Sequence, residues 1–457
     1  MILRFALAAL VLAAAPAHAQ LAALPASSSA APGLPAGFYL EDAVDASFNQ
    51  PVTVAFAPGG RMFVVEKRGM VWAVQNGVFQ TEPFLDLRDE VLNHHDRGLL
   101  GIAVDPDFET NRRVYVSYTV DHDETADRNR LDAFARVTSY AGTPSNPNLA
   151  DPETRRVLIG ETFATGIPSC YRSHTIGTLQ FGADGTLLIG AGDGASYNGV
   201  DVGGSYQECF GDGRLDDSED IGSFRSQRVE SLAGKVLRID PVTGQGLPSN
   251  PFWTGNGNDN ASKVWALGLR NPFRITIDTE SGLEDASAGQ PGRLYIGDVG
   301  WSGYEEINVA EGGENFGWPC EEGPIEQPNY VNRQPATNAC SDPRAGEITY
   351  GAYYWHHSNG SRSRPAGQTA RAIVGGAVYD GTKYPSFYRG ALFYGDYAKG
   401  WTAVSRLDAD GRPEQERAFS SDMGPVVAYV YDDASEYLHL VNVFSGRVQR
   451  LRHTGEA

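Results

Sequence analysis

VTVAFAPGGRMFVVEKRGMVWAV, residues 52–74, sets three short apolar runs around two glycine-containing turns. Runs this short, bounded by turn residues, are strands rather than helices, and the turns are short enough to fold each run back on the last. The pattern returns five times. It is found in LLGIAVDPDFETNRRVYVSYTV (99–120) and GTLQFGADGTLLIGAGDG (177–194), then in RLYIGDVG (293–300) with EEINVAEGG (305–313). ALFYGDYAKGWTAVSRLDADG (391–411) and VVAYVYDDASEYLHLVNVFSGRVQRLR (426–452) complete the set. Within these runs Val116-Ser117-Tyr118-Thr119-Val120 and Leu438-His439-Leu440 alternate with the period of a strand. Six strand-turn-strand units imply an all-β repeat architecture, a six-bladed β-propeller of four-stranded antiparallel blades. A pair of β-sandwiches without radial symmetry is the competing arrangement. No helix longer than two or three turns is expected.

The spacing of the units is uneven, so long loops are inserted. The largest are 196–228, 247–262 and 321–371, rich in Gly, Asn, Asp and Ser. A rigid scaffold that positions loops carries its chemistry on them. The composition agrees with a turn-rich β-protein: 53 of the 457 residues are glycine, above the usual share of about 7%. Acidic residues outnumber basic ones 57 to 37, a net charge of −20 that repels phosphate backbones and anionic membrane surfaces. Nucleic acid is therefore not an expected partner.

The N-terminus, MILRFALAALVLAAAPAHAQ, has a basic Arg4, an apolar stretch and an Ala17-His18-Ala19 cleavage pattern. Residues 1–19 are expected to be a signal peptide and 20–35 a flexible leader, with a single propeller over 36–454. The apolar stretch is shorter than the roughly 20 residues a membrane span needs, and none later is long enough. Export to the periplasm or beyond permits disulfides. Cys170, Cys209, Cys320 and Cys340 allow three pairings, of which Cys170–Cys209 with Cys320–Cys340 closes the most local loops. No G-x-S-x-G, H-E-x-x-H or phosphate-binding loop occurs, and Gly-Asp-Gly at 192–194 and 211–213 sits on strand-turn patterns. Among nine histidines, His174 stands in a polar loop directly before a strand, where an imidazole would accept the proton of a bound alcohol. His94-His95 with Asp96 and Arg97 forms a second polar cluster, and His356-His357 reads as exposed loop.

Several ordered motifs resemble the glucose/sorbosone dehydrogenase family, over roughly residues 36–452. They are DRGLLGIAVDPDF (96–108), SHTIGTLQFGADG (173–185), SLAGKVLRIDP (231–241), VWALGLRNPFR (264–274), YIGDVGWSGYEEINV (295–309), ENFGWPCEEG (314–323) and VGGAVYDGTKYPSFYRGALFYGDY (374–397). The resemblance implies a six-bladed propeller carrying pyrroloquinoline quinone (PQQ) over the channel mouth, with a calcium ion between the cofactor and backbone carbonyls. It assigns His174 as the base for a sugar C1 hydroxyl, Arg270 and Asn271 as quinone-side contacts, and Gly300 and Trp301 as the calcium carbonyls. The sequence also departs from the family. Ala398 stands at the register of the family's cofactor lysine, with Lys399 beside it. The stretch before the last blade, 421–433, lacks an expected arginine pair, and Asp96 and Arg97 replace neutral amides. Asp96, Arg97 and Lys399 are accordingly cofactor-binding candidates, with Arg97, Arg172 or Lys399 holding the carboxylates.

The function implied is an exported PQQ- and calcium-dependent dehydrogenase that oxidises an aldose or related cyclic hemiacetal to its lactone. A small-molecule sugar would be its substrate, and a monomer or homodimer its state. An external electron acceptor is required, because no C-x-x-C-H haem motif occurs. A non-catalytic propeller that binds carbohydrate or protein through its loop face is the alternative, with Trp253, Trp301 and Trp355 as candidate stacking surfaces. A calcium-dependent lactonase would need clustered carboxylate and amide ligands that the sequence does not display.

Overall fold

The computed structural model describes residues 28–29, 33–122, 130–210, 213–335, 339–340 and 347–455. The expected signal peptide and most of the leader lie outside them. Six antiparallel sheets follow one another along the chain and close into a six-bladed β-propeller. The first blade is Pro51–Ala57, Arg61–Glu66 and Met70–Gln75, with an outer edge in two pieces, Val78–Phe79 and Leu85–Asp86. Leu99–Val104, Arg113–Thr119, Phe134–Gly142 and Ala150–Ile159 form the second. Ile176–Phe181, Leu187–Ala191, Lys235–Ile239 and Val264–Leu267 form the third. Pro272–Asp278, Arg293–Asp298, Tyr304–Ala310 and Tyr353–His356 make the fourth, and Ile373–Tyr379, Ala391–Asp396, Thr402–Leu407 and Pro413–Ser420 the fifth.

The sixth blade joins the two ends of the chain. Val426–Asp432, Tyr437–Asn442 and Arg447–His453 take Phe38–Asp42 as their outer strand, pairing Phe38 with His453 and Asp42 with Gln449. Glu41 accepts from Arg450 and Arg452, and Asp42 from Arg447. Closure of the ring thus rests on a strand near the N-terminus.

The innermost strand of each blade packs on that of the next, around to the first. Glycine makes this approach possible. A β-carbon at Gly177 would lie 2.5 Å from the Phe273 carbonyl oxygen, and one at Gly375 would lie 2.1 Å from that of Arg274. Arg274 itself crosses the channel. Its guanidinium donates to the carbonyls of Val52, Leu100 and Val427, tying the first, second and sixth blades to the fourth. Burial lowers its pKa to about 9.

Apolar cores fill the spaces between blades, such as Leu188, Trp265, Ile275 and Ile296 between the third and fourth. The α-helices among the described residues are four residues each, Phe108–Asn111 and Pro328–Val331. None of the helices described is long and apolar enough to cross a membrane. Both local disulfides form, Cys170–Cys209 and Cys320–Cys340, with Cα separations of 5.7 and 5.4 Å.

Two expectations fail here. Trp355 offers no stacking surface, because it is sealed in the core between the fourth and fifth blades. His357 is not exposed loop either: its Nε2 meets buried Glu305 at 2.7 Å.

Candidate active site

A cavity of about 380 Å³ opens at one end of the channel, and every blade contributes to its wall. The floor is apolar, built from inner-strand residues including Val52, Leu100, Phe273, Val374 and Val427. Arg274 grips the carbonyls of three of these residues. Polar groups ring this floor: Gln50, Lys67, His95, Asp96, Thr175, Asn271 and Tyr397.

His174 precedes wall residue Thr175, where the chain enters the inner strand of the third blade. Its backbone takes a left-handed φ of 52°, uncommon for a residue other than glycine and held here by its surroundings. Its carbonyl accepts from the Gly194 N–H, which draws the 192–195 turn against it. That turn delivers Asp193, whose Oδ1 lies 2.8 Å from His174 Nδ1 and also accepts from the Ala195 N–H. The other carboxylate oxygen accepts from Trp318 Nε1 at 2.8 Å. Asp193 is fully buried, and ionised it only accepts hydrogen bonds, so the proton of His174 belongs on Nδ1. Nε2, on the opposite side of the ring, has no hydrogen-bond partner among the described residues and is left as the acceptor.

The electrostatics support that assignment. Burial, and then the Arg270 guanidinium, push the His174 imidazole below its ordinary pKa, so it stays neutral. Burial alone would raise the Asp193 carboxyl, but His174 and Arg270 outweigh it and hold the group below its usual value.

Arg270 and Asn271 connect the third and fourth blades. Their backbone N–H groups both donate to the Asp298 carboxylate, at 3.0 and 2.6 Å. Burial raises Asp298 to about 7 despite those two donors. The Arg270 side chain lies over the Trp318 ring and donates to the Val299 and Gly300 carbonyls, at 2.9 and 2.6 Å. Its buried Nε has no partner among the described residues. The Gly300–Tyr304 turn is organised by Glu322, whose Oε1 accepts from the N–H groups of Trp301, Ser302, Gly303 and Tyr304. The Trp301 ring packs edge-on against Tyr330.

His174, Arg270, Asn271, Gly300 and Trp301 are therefore brought into one neighbourhood; of these Asn271 lines the cavity, as does Asp96, while His174 and Arg270 stand next to the wall residues Thr175 and Asn271. Arg97 is not available there. It is 0% exposed, and its guanidinium donates to the carbonyls of Arg130, Leu131 and Ser169. Lys399 is exposed and absent from the cavity wall. Arg172 lies over the Tyr171 ring instead.

Asp193, Trp318 and Lys67 are the members that motif reading passes over. Asp193 is the centre of Gly192-Asp193-Gly194, a turn whose importance depends on its pairing with the 174 loop. Trp318 stands in ENFGWPCEEG, with nothing local to mark its indole. Lys67 closes an otherwise ordinary strand-turn, VVEKRG.

An apolar floor ringed by donors, with the orphaned Arg270 Nε beside it, fits a flat anionic aromatic group such as PQQ. Calcium fits less well. Of the two candidate carbonyls, that of Gly300 already accepts from Arg270. Among the described residues, no group of three or more His, Cys, Asp or Glu is placed to hold a metal.

Aldose sugar dehydrogenase YliI of Escherichia coli is 25% identical over 413 residues, covering 88% of each chain. The HIPL2 protein of Arabidopsis thaliana is 26% identical over 427 residues, and human Hedgehog-interacting protein is 30% identical over 254. The match covers 79% of this chain but 54% of the plant protein, and 53% of this chain but 32% of the human one. This chain thus spans from about a third to about half the length of these longer relatives. Among solved structures, the PQQ-bound aldose sugar dehydrogenase of Streptomyces coelicolor superposes with a TM-score of 0.59 at 18% identity, covering 92% of this chain and 99% of the other. The glucose/sorbosone dehydrogenase sequence profile matches residues 48–448. On that match, this chain belongs to the glucose/sorbosone dehydrogenase family.

Proposed function

We propose that the protein is an exported dehydrogenase that oxidises the C1 hydroxyl of an aldose, or of a related cyclic hemiacetal, to the lactone with PQQ as oxidant. The observation that carries this reading is the buried His174–Asp193–Trp318 chain beside a six-blade cavity, with Nε2 of a neutral imidazole left as acceptor. When bound, PQQ supplies the two-electron acceptor for the C1 hydride. Every other task falls to the chain. His174 Nε2 takes the hydroxyl proton, while Asp193 accepts from Nδ1–H and stabilises the imidazolium that forms. Trp318 holds the second Asp193 oxygen and so fixes the carboxylate's orientation. The apolar floor, Asn271 and Arg270 would seat the cofactor and exclude water.

The atoms balance: the hemiacetal loses one proton and one hydride, and an external acceptor reoxidises the cofactor. Calcium on the Gly300 and Trp301 carbonyls would lie against the Arg270 guanidinium that already donates to the first, so no step is routed through it. Export is supported by two disulfides on the loops near the site. The relatives' names point the same way, since one is an aldose sugar dehydrogenase.

The test is turnover of purified protein loaded with PQQ and calcium, using an aldose panel and a dye acceptor. His174→Ala is expected to lower kcat by about 10²- to 10⁴-fold, with cofactor absorbance retained. A variant that turns over at the wild-type rate would exclude His174 as the base. A protein that binds sugar but reduces no dye would instead be a binding propeller, a possibility raised by its similarity to Hedgehog-interacting protein.

A further inference from the structure

We propose that Lys67 is the cation that pairs with a carboxylate of the bound cofactor, replacing the arginines that the sequence lacks before its last blade. The proposal rests on the PQQ reading above and adds a residue to it. Among the residues that line the cavity, Lys67 is the only lysine or arginine, and Asp96 is the only acid. The Asp96 carboxylate acts on the Lys67 ammonium through space, but no ion pair joins the two among the described residues. The three cations that sequence offers for this task are elsewhere. Arg97 is buried on carbonyls, Arg172 lies over Tyr171, and Lys399 is exposed outside the wall.

The hydrogen bonds of Lys67 distinguish a ligand-binding lysine from a structural one. Nζ donates to Asn93 Oδ1 and to the Arg97 carbonyl, each at 2.6 Å, which leaves one of its three N–H groups over. Lys235, a purely structural lysine in the third blade, differs. It is fully buried and places its three donors on the carbonyls of Arg225, Ser226 and Ala233. The two tethers on Lys67 hold the ammonium at the wall without saturating it, so an arriving carboxylate meets a positioned donor and little side-chain entropy is lost. Beneath the same floor lies the Arg274 guanidinium, a second fixed positive charge. The cavity is therefore built for a planar ring system with acidic groups at its edge.

The experiment is a spectroscopic binding titration that needs no turnover. Wild type, Lys67→Gln and Lys67→Arg are each titrated with PQQ and with its trimethyl ester, which keeps the ring but not the carboxylate charges. Lys67→Gln is expected to weaken the free acid by roughly 10- to 100-fold, as expected for a lost charge-assisted hydrogen bond, and to leave the ester unchanged. Lys67→Arg should recover most of the loss. Equal weakening of acid and ester in Lys67→Gln would make Lys67 a tether of the 93–97 loop and overturn the proposal. Unchanged binding of the acid would overturn it while leaving the PQQ reading intact. Failure of the wild type to bind either compound would defeat the PQQ reading itself, and the role of Lys67 with it, before any variant is measured.

Discussion

Asp193 does two things to His174: it fixes the Nδ1–H tautomer, and its negative charge holds up a pKa that burial and Arg270 depress. A neutral base is the active form, so the acid limb of the kcat–pH profile is expected below the ordinary histidine value of about 6.5. Asp193→Asn removes the charge that opposes the depression. The acid limb should therefore move lower still, while loss of the tautomer control costs about 10²- to 10⁴-fold in kcat. A kcat–pH series on PQQ-saturated wild type and variant checks both. An acid limb that moves upward in the variant would contradict the assignment. Why His174 was legible and Asp193 was not follows from distance along the chain. A histidine in a polar loop before a strand advertises itself, but its partner lies 19 residues later, across a hairpin whose pairing only the fold supplies. Arg97 misleads for the opposite reason. In a polar loop beside a histidine pair it reads as a ligand, and only the approach of residues 130, 131 and 169 turns it inward.

Strands were the most legible elements, because alternation and glycine turns are local signals. Their sheet partners were not, and the sixth blade shows why. Phe38–Asp42 reads as a short apolar-polar segment after a leader, and nothing in it announces pairing with Arg447–His453 some 400 residues away. Phe38 closes this blade by packing edge-on against Tyr384, Tyr388, Phe419 and His453, with centroids 4.8–5.2 Å away. Phe38→Ala leaves a hole at the seam of the ring and is expected to cost about 3–5 kcal/mol in chemical denaturation. A loss below about 1 kcal/mol would mean that the ring holds without this strand. The long insertions were legible as loops from their composition. Their folded detail, such as the four N–H groups gathered on Glu322, was hidden because one carboxylate organises a turn some twenty residues away.

At the scale of the whole molecule, six repeats in the sequence were enough to give six blades, and a ring of blades has a mouth where six sets of loops converge. The cavity follows from that geometry, as does its composition. Inner strands stripped to glycine at their closest approach leave an apolar floor, and the polar wall comes from the loops at their ends. The chain's charge of −20 is not concentrated there, because Lys67 lines the cavity and Arg270 and Arg274 stand behind its wall and floor. The central claim is that this mouth transfers a hydride from sugar C1 to PQQ with His174 as base. The most direct measurement is an anaerobic single turnover: protein with one equivalent of PQQ, mixed with an aldose and no dye, following cofactor absorbance and lactone together. Reduction of the cofactor with one lactone formed per PQQ, slowed by deuterium at C1, is the predicted result. A protein that binds PQQ yet leaves it oxidised across the aldose panel, with no lactone formed, would contradict it.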